Sequence, residues 1–69
     1  NYDEAIRYLK QASEALPEDP AISEHLGDVY VKMGLLNEAI AAYEQAIRFS
    51  PDSETLKRKL DELTGRKAP

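Results

Sequence analysis

One stretch of this chain gathers side chains that could hold a metal or move a proton: Glu24, His25 and Asp28, with the two carboxylates four residues apart. On a helix that spacing puts Glu24 and Asp28 on one face, and the imidazole beside them supplies a nitrogen ligand of the kind divalent cations accept. Three ligands from a single helical turn, with no second segment converging on them, make a weak site, and solvated side chains account for the same residues. No nucleophilic constellation accompanies them. There is no cysteine, His25 is the single histidine, and neither a glycine-rich phosphate loop nor a nucleophile elbow occurs. Caps and packing explain the serines and tyrosines. The expectation is a chain that is not an enzyme and takes no cofactor and no metal.

Charge narrows the partners. The formal net charge is -4 over 69 residues, an unfavourable field for nucleic acid, whose binding rests on basic residues neutralising phosphates. Lys57-Arg58-Lys59 and Arg66-Lys67 are the basic clusters, and both are read as solvated helix ends, not a phosphate-contacting patch. No apolar run approaches the roughly 20 residues of a membrane span, and no basic-then-apolar start resembles a signal peptide. The expectation is no nucleic acid and no membrane. The lack of cysteine leaves the redox compartment open, and the absence of a signal within the chain favours the cytoplasm.

Helices must position these side chains. Tyr2, Ala5, Ile6, Leu9, Ala12 and Leu16 fall at steps of three and four, the stripe of an amphipathic helix. Asn1 with Glu4 has the form of a capping box at its start. Pro17 cannot continue that helix, and Asp19-Pro20 supplies an N-cap followed by proline at the first helical position. The second helix carries Ile22, Leu26, Val29, Tyr30 and Met33, and Gly34 is placed to end it in a left-handed conformation. A third helix presents Leu36, Ala39, Ile40, Tyr43, Ala46 and Ile47 and stops near Ser50-Pro51. Asp52 or Ser53 can cap a fourth, with Leu56, Leu60 and Leu63 on one side and Gly65 at its end. Four helices with connections of a few residues pack as antiparallel neighbours, giving an all-α fold.

The first and third helices are the same text. Glu4-Ala5-Ile6 returns as Glu38-Ala39-Ile40, Gln11-Ala12 as Gln45-Ala46 and Pro17 as Pro51, each 34 residues on. A fixed period of that size indicates a stacked repeat, which makes binding likelier than catalysis. Between these copies, Leu26-Gly27-x-x-Tyr30, then Ala39-x-x-x-Tyr43-x-x-Ala46 and Pro51 closely resemble the tetratricopeptide repeat signature at that family's spacing. The resemblance implies antiparallel helix pairs stacked as a right-handed solenoid of four helices. It divides the chain into the second half of a preceding repeat (1–19), a complete repeat (20–53), a C-terminal capping helix (54–65) and a polar tail (66–69).

Physical reasons support the pattern. Gly27, Ala39 and Ala46 lack bulk, so two helix axes can approach while Leu26, Tyr30 and Tyr43 fill the surrounding space. Glycine inside a helix costs about 0.5–1 kcal/mol relative to alanine, which argues for a packing return at Gly27. A larger residue there is expected to push the hairpin apart. Ser23 departs from the family, which often has tryptophan at that place, and looser packing against the first helix is expected, with Ile22 filling part of the volume. In the fourth helix Asp61 and Thr64 stand where Gly27 and Tyr30 stood, and Glu54, Lys57, Arg58, Asp61 and Glu62 surround three leucines, as a terminal helix facing water requires.

The same resemblance implies a protein-interaction scaffold that takes a peptide or helix of a partner in a concave groove lined by the first helix of each repeat. Residue by residue, that assigns Ala21, Glu24, His25, Asp28, Val31 and Lys32 to the groove, with Thr55, Arg58, Lys59 and Glu62 beside them. Members that grip acidic tails place lysine and asparagine where this chain has Glu24 and Asp28, so acidic-tail ligands are disfavoured. Two readings of the pair stay open: it is neutralised by Arg58 and Lys59 of the fourth helix, or it faces a basic segment of a partner. A structural role is the alternative function, as the end of a solenoid, an assembling segment or an excised or engineered scaffold. The first helix lacks a preceding partner helix, and its open face is expected to allow a homo-oligomer.

Overall fold

Local chemistry sets each helix boundary. In the computed structural model, which describes residues 1–65, the order is α1 (Tyr2–Ala15), α2 (Pro20–Lys32), α3 (Leu36–Phe49) and α4 (Glu54–Thr64). The Asn1 side chain accepts bonds from the backbone N–H groups of Asp3 (3.0 Å) and Glu4 (3.3 Å). The reciprocal half of the expected box, from Glu4 back to Asn1, is not among the side-chain bonds of this turn. Asp19 accepts from Ala21 N–H at 2.9 Å with Pro20 at the head of α2. Of the two cap candidates for α4 it is Ser53 that serves, accepting from Leu56 N–H at 3.2 Å. Gly34 and Gly65 both adopt positive φ, 77° and 75°, at the ends of α2 and α4, a conformation that costs glycine nothing and other residues something. The basic pair Arg66-Lys67 and the rest of the tail lie outside the described residues.

The period is visible in the backbone. Asp19 N–H donates to Leu16 C=O at 3.1 Å, and Ser53 N–H donates to Ser50 C=O at 3.2 Å. The residues that close α1 and α3 have matching angles, φ -132° and ψ 66° at Leu16 against φ -146° and ψ 65° at Ser50. One turn has been built twice, 34 residues apart, and each copy delivers the chain to a capped helix start. A side-chain amide reinforces the first copy: Gln45 donates to Pro17 C=O at 3.3 Å.

The core lies where α2, α3 and α4 meet. Tyr30, Ala39 and Ala42 form one buried cluster, with Ile6, Leu26 and Leu63 packed on it, and Tyr43, Ala46 and Leu56 form another, with Ile47, Leu60 and Leu63. Leu63 joins both, so α4 closes the hairpin of α2 and α3 on one side. Gly27 is buried, and a Cβ built on it would lie 2.5 Å and 2.6 Å from ring carbons of Tyr43. No real Cβ tolerates that approach, so the glycine is what allows α2 to seat the tyrosine ring. Ser23 is buried as well, at 2 % exposure, so the small side chain at the family's tryptophan position is enclosed by the packing.

Three apolar positions depart from expectation. Tyr2 (49 % exposed), Leu16 (58 %) and Leu36 (46 %) were expected on packed faces and stand in solvent. All three sit at or just beyond a helix terminus. More generally, α1 has no buried residue; Ala5, Ile6, Leu9 and Ala12 are half-buried. Pro51, expected to take part in repeat packing, is exposed in the turn and acts there by ending α3, not by filling space.

Candidate functional site

The buried face of α2 is committed to α3, which leaves its polar face outward. Gly27 and Tyr30 turn inward, Ala21, His25, Val31 and Lys32 are exposed, and Glu24 and Asp28 are half-buried. On α4, Leu56 is buried and Leu60 and Leu63 are half-buried, with Thr55, Arg58 and Glu62 exposed and Lys59 half-buried. The half-buried charges of the two helices meet. Lys59 Nζ lies 2.7 Å from Glu24 Oε2 and 3.0 Å and 3.2 Å from the two carboxylate oxygens of Asp28.

Tyr43 ties this contact to the core. Its ring, seated on Gly27, is 3 % exposed, and its hydroxyl donates to Asp28 Oδ1 at 2.5 Å. The Lys59 ammonium also stands 5.9 Å from the centre of that ring, within the range of a cation–π attraction. Burial, then the bond to Asp28 and the negative charges of Asp28, Glu24 and Glu62, push the Tyr43 phenol far above its ordinary pKa of 10.0. For Lys59 partial burial acts downward, but the hydrogen bonds to Glu24 and Asp28 and the carboxylate charges outweigh it and raise the value above 10.5. Both groups therefore keep their protons at neutral pH.

These contacts decide how the pair of carboxylates is used within the chain. Lys59 neutralises one of the two negative charges; Arg58, expected alongside it, makes no ion pair among the described residues. His25 is exposed and does not join them, and among the described residues no three histidine or carboxylate groups gather as a metal site requires. The basic run 57–59 is also divided: Lys59 turns to the carboxylates while Lys57 and Arg58 face solvent. An open apolar recess between α2 and α3, lined by Leu26, Tyr30, Glu38, Ala41, Ala42 and Gln45, contains none of the expected groove residues. No helix among the described residues is long and apolar enough to cross a membrane.

One of the two readings open from the sequence pairs Glu24 and Asp28 with Arg58 and Lys59; neither includes Tyr43 as a polar partner, which the sequence assigns to packing alone. The available signal was the one-residue step from Gly27 to Asp28, which sets a carboxylate beside the seat of the ring. Compared with known families, the chain is matched over residues 1–62 by the model of the tetratricopeptide repeat. No curated protein matches it.

Proposed function

Because the chain belongs to the tetratricopeptide repeat family, whose members are in general protein–protein interaction modules, we propose that it binds a peptide or helix of a partner protein across the polar faces of α2 and α4. Ala21, Glu24, His25, Asp28, Val31 and Lys32 on α2 and Arg58 and Lys59 on α4 form that surface. The observation that carries the reading is the Lys59 bridge at 2.7 Å and 3.0 Å, because it makes two helices about 30 residues apart in sequence contribute to one continuous patch. Glu24 and Asp28 against Lys59 leave one net negative charge at the centre, which favours basic segments and disfavours acidic tails. Val31, 37 % exposed, and Ala21 add apolar contact at the edges. The role is one of scaffolding, without catalysis, and α4 contributes by packing Leu56, Leu60 and Leu63 on α3. An NMR titration with a lysine-rich peptide tests it: shifts should concentrate at residues 21–32 and 55–62, and Glu24→Lys with Asp28→Lys should weaken binding. Unchanged affinity in that double variant removes the surface from consideration.

A second reading, structural in kind, is favoured by α1. Tyr8 is 73 % exposed, and no residue of the helix is buried. Self-association through the side of α1 that carries Tyr8 would cover it. Light scattering across a concentration series should then show growth in mass; a strict monomer throughout would contradict it.

A further inference from the structure

We propose that Lys59 is an internal competitor for the α2–α4 surface: its ammonium occupies the carboxylate pair that a basic partner would use, so the protein holds cationic segments more weakly than Glu24 and Asp28 alone would. This rests on the binding surface proposed above and concerns its regulation. The geometry is that of a ligand contact made from within the chain. One ammonium reaches Glu24 and both oxygens of Asp28 from a different helix, and it sits 5.9 Å from the Tyr43 ring centre. The Tyr43 hydroxyl fixes Asp28 from the core side, so the carboxylate stays aimed at its cation whichever molecule supplies that cation.

Exposure makes the exchange possible. The side chains of Lys59, Glu24 and Asp28 are 31 %, 27 % and 37 % exposed, open enough for a partner's lysine to reach the same oxygens. An ion pair so exposed is weakly held, and a lysine on the same chain competes at a high effective concentration. The apparent affinity for a cationic ligand is the intrinsic affinity multiplied by the fraction of molecules in which the bridge is open. The residue 34 positions before Lys59 is His25, which is exposed and makes no such contact, so the device belongs to α4 and is not a general property of the repeated text.

A fluorescent oligolysine peptide titrated at low salt into the full chain provides the test. Lys59→Met should bind it about three- to tenfold more tightly than the unaltered chain. Lys57→Met, which removes the same charge from an exposed position on the same helix, should gain clearly less. Adding Glu24→Gln and Asp28→Asn should abolish the difference between the two. Lys59→Gln serves as the second variant, should the methionine form fail to keep its helical circular dichroism. Equal gains from Lys59 and Lys57, or a loss with Lys59, overturn the competition. If Glu24→Gln with Asp28→Asn weakens peptide binding while Lys59→Met does not strengthen it, the surface stands and the competition alone falls. If that double variant leaves the affinity unchanged, the surface falls and the competition with it.

Discussion

α1 and α3 carry the same text in the same phase, yet they live in different environments. Ala39 and Ala46 are 0 % exposed, while their counterparts Ala5 and Ala12 are half-buried; where α3 has Ala42 at 8 %, α1 has Tyr8 at 73 %. The cause is the number of neighbours. α3 packs against both α2 and α4, whereas α1 packs chiefly on α2. Small residues at three- and four-residue steps specify where a helix can be approached closely, and a second helix must arrive before that close approach becomes core. In α3 the residue that meets Gly27 of α2 is Tyr43; in α1 the matching position is Leu9, which is half-buried, and the space at Gly27 is already filled by the Tyr43 ring. The contrast also separates scaffold from surface, because the Tyr43 seat that locks α2 to α3 is what orients Asp28 toward Lys59.

Breaking the seat should have the largest effect. Gly27→Val puts branched carbon atoms where even a Cβ lies 2.5 Å from the Tyr43 ring, and should cost about 3 kcal/mol or more in urea unfolding. Adding Tyr43→Leu, which gives α3 the leucine of α1, should recover part of that loss; failure to recover any would mean that the ring is not what the glycine accommodates. Next comes the matched pair Ala46→Leu and Ala12→Leu. The first overfills a fully enclosed position and should cost about 1–3 kcal/mol, and the second, half-buried beside an open face, well under about 1 kcal/mol. Equal losses would erase the distinction between the helices.

The smallest effect is expected with pH. Tyr43 and Lys59 both have pKa values raised in the folded state, so the folded chain holds their protons more tightly than the unfolded one. Their contribution is complete below the unfolded values of 10.0 and 10.5 and is lost as pH climbs through the folded values above them. Melting temperature should therefore decline above about pH 10, and Tyr43→Phe should flatten the decline. An unchanged slope in that variant would show that the buried phenol is not its source.

Much of the fold could be read without coordinates because helix ends are local chemistry. Asp19-Pro20, Ser53, Gly34 and Gly65 each act through atoms within a few residues, and each does what its type requires. The glycine seat was legible for a similar reason, since a glycine inside a helical stripe needs a packing cause. Burial was less so: Tyr2, Leu16 and Leu36 fit the stripe but stand at helix ends in solvent, and Ala42, buried at 8 %, is too small to stand out in an apolar pattern. Within the site, the choice of Lys59 over Arg58 and the bond from Tyr43 to Asp28 depend on how helices cross between residues 15 and 31 positions apart, which periodicity alone does not specify.

Residue-resolved amide hydrogen exchange at low protein concentration tests most directly the claim that neighbours, and not the repeated text, separate these two helices. The amides of residues 39–46 in α3 should exchange only through global unfolding, while those of residues 5–12 in α1 exchange through local opening, faster by at least about tenfold. Equal protection of the two helices would contradict the account.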